Sequence, residues 1–261
     1  LGGDDASSFN ISEAGVLSFA AAPNYEAQSS YSVTITVSDG ETTSSSELTI
    51  AVSNVNEGPT ITSASTAEVA ENTTAVETLT STDPDGDALS YALSGDDAGF
   101  FDLDTSNLAL TFKAAPDFET PIDADENNTY LVTLTVADGN GGTVVQDLAI
   151  TVTDVNEAPL ITSEAALSAA ENQTAIGVIT ASDAEGATVT FTLGGDDAAS
   201  FSISEAGVLT FAASPDFETK STYAVTVSVG DGTSTTDQAL SISVTDVNES
   251  PVITSIATFS A

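Results

Sequence analysis

The chain has 261 residues, too many for one small sandwich and enough for two to three domains of about 100 residues each. Asp plus Glu total 40 against 2 cations, Lys113 and Lys220, for a formal net charge of -38. That charge excludes nucleic acid, which needs a basic face, and disfavours an anionic membrane surface. Cys, His, Met and Trp are all absent, which excludes the usual zinc, iron–sulfur and copper sites and leaves no ordinary activated nucleophile.

In chain order the predicted elements are short strands. Residues 31–37 alternate polar and apolar and end at Asp39-Gly40. Further strands are read at 89–93, 101–103, 108–112, 130–136 and 148–152, with Asp138-Gly139 after the fourth of these. Residues 223–229, closed by Asp231-Gly232, repeat the theme. Period-two alternation with β-branched residues denotes a half-buried strand, and Asp-Gly a tight turn. No stretch keeps a helical period, and no apolar run approaches 18 residues, so no membrane insertion is expected in this segment. About seven short strands per 95 residues predict an all-β fold of tandem seven-stranded antiparallel β-sandwiches. Phe101/Leu103, Leu108/Leu110/Phe112 and Tyr130/Val132/Leu134/Val136 are expected to line the inter-sheet core.

Self-similarity is the strongest signal. Asn54-Val55-Asn56-Glu57-Gly58-Pro59 recurs as Asp154-Val155-Asn156-Glu157-Ala158-Pro159 and as Asp246-Val247-Asn248-Glu249-Ser250-Pro251. Residues 1–40 align without gaps on 193–232, with 27 of 40 identical. The expected organisation is a partial repeat, 1–57, lacking its first strands; complete repeats at 58–157 and 158–249; and the first strand of another at 250–261. The chain opens mid-pattern and reads as a window of something longer.

The acidic residues keep fixed places in each repeat. In the second repeat these are Glu71, the Asp83-Pro84-Asp85-Gly86-Asp87 loop, Asp117-Phe118-Glu119, Asp138 and the 154–157 connection. Calcium takes six to eight oxygen ligands, which loops converging at a domain boundary supply more readily than one loop. Asp83-x-Asp85-x-Asp87 opens like an EF-hand, but its twelfth position is Ser94 instead of Glu and flanking helices are missing. The insertion at 121–128 reads as a solvated loop, with an extra ion or a contact site as alternatives.

This constellation resembles the cadherin repeat over the whole chain. The resemblance implies three calcium ions between consecutive repeats. It assigns Glu71, Asp117, Glu119, Asp154, Val155 (through its carbonyl), Asn156 and Glu157 to the boundary near 157, together with Asp183, Glu185 and Asp231. To the boundary near 57 it assigns Glu26, Asn54, Asn56 and Glu57 with Asp83, Asp85 and Asp138. The same motifs recur as Glu171, Asp216, Glu218, Asp246, Asn248 and Glu249. Asn24 and Asn54 stand where the family has Asp, so one or two ions are expected near 57.

The plain, acidic, cysteine-free style also resembles the repeats of giant bacterial surface proteins, adhesins or filaments. That implies a non-enzymatic, extracellular, calcium-rigidified spacer partnered by its neighbouring repeats and by other copies in a filament. The alternative is a module that binds a surface glycan or protein, or itself, through strand exchange with residues 253–259 as a donor strand.

Overall fold

Strands account for most of the regular structure in the computed structural model, which describes residues 1–253. The chain divides into two units, Leu1–Thr153 and Asp154 onward. The strand expected within 250–261 lies largely outside the described residues.

The first unit opens with two hairpins. β1 (Phe9–Ile11) pairs with β2 (Leu17–Phe19), and β3 (Ser30–Ser38) with β4 (Thr43–Ala51). Nine segments follow: β5 (Thr60–Ile61), β6 (Thr66–Ala70), β7 (Ala75–Thr78), β8 (Ser81–Thr82), β9 (Ser90–Ser94), β10 (Phe101–Asp104), β11 (Ala109–Phe112), β12 (Thr129–Ala137) and β13 (Thr143–Thr153). They form two facing layers, ordered β6-β13-β12-β9 and β10-β11-β7, with β5 on β8. Every pairing is antiparallel except β6 on β13.

That exception arises because the first strand is broken. After pairing with β8, the chain crosses at residues 62–65 to the other layer. Two carbonyls of the crossing, Ser63 and Ala64, accept hydrogen bonds from Gln146 Nε2 at 3.3 and 3.0 Å. Backbone carbonyls turned out of a ladder need such a partner.

The core sits between the layers. Leu79, Leu110, Tyr130, Leu134, Leu148 and Ile150 are each at most 1% exposed. The predicted rows from β10, β11 and β12 face it, with Leu103 and Leu108 packed at its margin. Phe101, Phe112 and Tyr130 form an aromatic triad, with ring centroids 4.4 to 5.7 Å apart. Tilted and edge-on pairs of this kind add to simple area burial.

The second unit repeats the plan with β14 (Leu160–Ile161), β15 (Ala166–Ala170), β16 (Ala175–Val178), β17 (Ala181–Ser182), β18 (Thr190–Gly194), β19 (Phe201–Ile203), β20 (Val208–Phe211), β21 (Thr222–Gly230) and β22 (Thr235–Thr245). Its layers are β15-β22-β21-β18 and β16-β20-β19, with β14 on β17. The triad returns as Phe201, Phe211 and Tyr223, and in the opening hairpins as Phe9, Phe19 and Tyr31.

Residues 1–57 carry no counterpart of β15 to β17. The consequence is visible at matched positions. Val229 and Leu240 are 0% and 2% exposed, whereas Val37 and Leu48 are 67% and 41% exposed.

One carboxylate recurs at the same place in each repeat, buried at Asp97 and half-buried at Asp5 and Asp197. Asp97 precedes a short 3-10 turn, Ala98–Phe100, and its Oδ2 accepts from Leu131 N at 2.8 Å. Asp5 and Asp197 accept from Ser32 N and Ala224 N in the same way. The other oxygen finds a different donor each time: Gln28 Nε2, Ala124 N or Lys220 Nζ. Ala124 belongs to the 121–128 insertion, which is closed on itself by Asp123, whose carboxylate accepts from Asn127 N and Asn128 N.

Candidate metal centre

In the first unit, the segment leaving β4 meets the loop after β8. Carboxylate oxygens of Glu26, Glu57 and Asp85 lie within 4.8 Å of one another, and those of Asp83, Asp85 and Asp87 do likewise. Asp85 is common to both groups. Its Oδ2 accepts from Glu57 N at 2.8 Å, and Asn54 adds a side-chain hydrogen bond.

The loop is held open by its own backbone. Gly86 adopts φ +75° and its N–H donates to Asp83 O, while Asp87 N donates to Asp83 Oδ1. This fold of alternating Asp residues turns two carboxylates the same way. Asp83 Oδ2 and Asp85 Oδ1 are buried and accept no hydrogen bond from the protein. A buried carboxylate oxygen without a donor is unfavourable unless a cation meets it.

The electrostatics agree with that geometry. Burial, then the charges of Glu26 and Asp85, push the Glu57 carboxyl above the ordinary glutamate value. Asp85 is held low by the Glu57 N–H and the Asn54 amide. Asp138, 4% exposed, is held low first by Asn56, whose Nδ2 donates to its Oδ2 at 2.8 Å. Asn24 has a local partner, its Oδ1 accepting from Ala27 N at 2.6 Å.

At the other end of that sandwich, Glu71, Asp117 and Glu119 form a third group within 4.8 Å. Glu71 is 2% exposed and its Oε2 accepts from Phe118 N at 2.8 Å. Glu71 follows β6, and Asp117 and Glu119 lie in the loop after β11, which is held to it by Asn72 N donating to Pro116 O.

The second unit repeats each half. Asn156 Nδ2 donates to Asp231 Oδ2 at 3.0 Å, and Glu157 N donates to Glu185 Oε1 at 2.8 Å. Asp183 Oδ2 and Glu185 Oε2 are buried without a hydrogen-bond donor. Glu185 supplies the extra methylene that lets it reach where Asp85 stands in the first unit. Glu171, Glu218, Asp246 and Glu249 gather within 4.8 Å. Glu171 Oε1 and Oε2 accept from Val247 N and Phe217 N.

Two of the residues expected as ligands have local hydrogen-bond partners. Asp216 accepts from Thr219 N and Thr219 Oγ1, which holds it low, and it stands outside the Glu171 group. Asn248 Nδ2 donates to Glu249 O. Asp154 is exposed and Val155 is 44% exposed. Asp87 joins Asp83 and Asp85 beyond the expected set, and the third acid of the Asp-x-Asp-x-Asp run was its signal. The 121–128 insertion walls a cavity of about 630 Å³ over β12, lined in part by Asp96, Asp125, Leu131 and Asp147.

Among the described residues no helix is long and apolar enough to cross a membrane. In fold the chain is similar to solved cadherin structures. Protocadherin gamma B2 extracellular cadherin domains 3–6 aligns at 20% identity with a TM-score of 0.56, covering 92% of this chain and 65% of that one. Mouse clustered PcdhgC3 EC1–3 aligns at 19% identity and 0.52, covering 92% and 86%. The protocadherin gamma B4 extracellular domain aligns at 22% and 0.52, covering 92% and 41%. Bacterial Ig-like and cadherin-like domains are typically extracellular structural modules of adhesion type. Residues 56–151 and 156–245 each match the bacterial Ig domain family Big_9. The chain therefore belongs to the bacterial Ig domain family, with two tandem copies of a cadherin-like repeat.

Proposed function

We propose that the chain is a calcium-rigidified spacer of an extracellular bacterial surface protein, an adhesin or a filament. The observation that carries this reading is the pair of buried, donorless oxygens on Asp83 and Asp85 beside Glu26 and Glu57. Calcium is a hard cation that takes carboxylate, amide and carbonyl oxygens at flexible coordination number. The donors here are all of those kinds. A net charge of -38 with only two lysines leaves the carboxylates to be neutralised from outside the chain.

Bound calcium would join Glu26 and Glu57, from one repeat and its connection, to Asp83 and Asp85 of the next. That bridge stiffens the connection, which suits a spacer. Groups at fixed, repeated boundary positions fit a scaffold better than an active centre, and the proposal includes no catalytic role. Affinity of about 10⁻⁴–10⁻³ M, usual for extracellular calcium modules, would keep such sites filled outside a cell.

Small-angle scattering with calcium and with a chelator tests the reading. The expected result is a larger and better-defined maximum dimension with calcium. An identical scattering curve in both conditions overturns the rigidification.

A further inference from the structure

We propose that Asn140 is a site of spontaneous deamidation whose rate is restrained by Asp87. Asn140 lies in the turn between β12 and β13, in the run Asp138-Gly139-Asn140-Gly141-Gly142, and Asn140-Gly141 is the only Asn-Gly pair in the chain. Asparagine is a chemically labile residue. In the step proposed, the Gly141 backbone nitrogen attacks the Asn140 side-chain carbonyl carbon. A C–N bond forms, the Gly141 N–H proton passes through solvent to Nδ2, the Cγ–Nδ2 bond breaks, and the amide nitrogen leaves as ammonia. Water then opens the cyclic imide at either carbonyl, giving an aspartyl or an isoaspartyl residue. Water is the only co-reactant.

The turn favours that attack. Gly141 has no side chain to obstruct it and the widest backbone freedom. Gly139 and Gly141 hold φ +78° and +114°, and Asn140 is exposed. Two hydrogen bonds oppose it: Asn140 Nδ2 donates to Asp87 Oδ2 at 2.7 Å, fixing the amide in a single orientation, and the attacking Gly141 N–H is engaged by the Asp138 carboxylate. The Asn140 N–H also donates to Asp138 Oδ1 at 2.7 Å. The two partners occur together. The counterpart of Asp87 in the next repeat is Ala187, and its turn, Asp231-Gly232-Thr233-Ser234, has no Asn.

Deamidation replaces a donor with a second carboxylate facing Asp87. Two like charges at that separation repel, so the β12–β13 turn releases the 83–87 loop. The inference stands whether or not calcium binds.

The test incubates the full chain in chelator at mildly alkaline pH and locates isoaspartyl and mass-shifted peptides over time. Conversion is expected to concentrate at position 140 and to run severalfold faster in Asp87→Ala. A urea-unfolded sample shows the intrinsic rate of the same bond. Equal rates in wild type and Asp87→Ala overturn the restraint. A position 140 that stays intact in the folded chain, while the unfolded chain converts, overturns the site.

Discussion

Asn56 donates through its side-chain amide to Asp138 Oδ2 at 2.8 Å, tying the connection after β4 to the turn between β12 and β13, 82 positions away. The same bond recurs between Asn156 and Asp231 at 3.0 Å. A linker asparagine that looks like a metal ligand in sequence therefore has a structural duty of its own, orienting the Asp138 carboxylate.

Asn56→Ala is expected to lower the melting midpoint of the chelated protein by a few degrees and to raise the Asp138 pKa toward the ordinary aspartate value. The sign follows from linkage. Asp138 is depressed in the folded state, so its contribution is present above the unfolded value near 3.8 and is lost as pH falls through the folded one. In Asn56→Ala that loss is smaller and is complete at a higher pH. Calorimetric scans across the acidic range read it. Superimposed pH profiles would sink the assignment.

Glu57 has the opposite sign. Its carboxyl is raised by burial, Glu26 and Asp85, so the ion-free fold is destabilised as pH rises from the ordinary glutamate value of 4.5 through the folded value. Glu57→Gln is expected to melt higher than wild type in chelator at neutral pH, with the difference fading on acidification. In calcium the order reverses, because wild type gains the ion and the variant does not. Melting curves in the four conditions decide it.

Lys220 Nζ lies 2.5 Å from Asp197 Oδ1 and 4.6 Å from the centroid of the Tyr223 ring. The ammonium is the leading reason that Asp197 is held low. Lys220→Met is expected to move the Asp197 titration up toward the ordinary aspartate value, leaving Asp5, which faces Gln28, unchanged. Carbon-detected NMR titration of the two carboxyls reports both. An unmoved Asp197 would show that the Ala224 N–H alone sets it.

Matched core positions give a further contrast. Leu240→Ala empties a 2% exposed site and is expected to cost about 2–5 kcal/mol. Leu48→Ala removes a side chain already 41% exposed and is expected to cost well under about 1 kcal/mol. Urea unfolding followed by tyrosine fluorescence separates them, and comparable losses at both positions would contradict the burial difference.

Much of this fold was legible in the sequence, for a physical reason. Strands such as β12 alternate because one face is buried, and Tyr130, Val132, Leu134 and Val136 all turn to the core. The linker motifs were legible because they repeat in register. The break between β5 and β6 was not, since the crossing depends on Gln146 from a strand 80 residues later. Asp97 and Asp123 were missed for a related reason. An Asp in an acidic loop reads as a solvated turn, and only the folded chain brings the N–H groups of Leu131, Ala124 and Asn128 that pair with these two. Within the candidate site the residue types were legible, but their aim was not. Asp216 and Asn24 are turned to local partners by side-chain hydrogen bonds that the motif does not encode.

On the proposed function, calcium occupies the oxygens of Glu26, Glu57, Asp83 and Asp85. Isothermal titration of chelator-stripped protein with calcium tests it most directly, comparing wild type with the Glu57→Gln, Asp85→Asn double variant. Saturable binding by wild type is expected, with a Kd of about 10⁻⁴–10⁻³ M, and at least one fewer ion bound by the variant. No binding by wild type, or the same number of ions in both proteins, would contradict it.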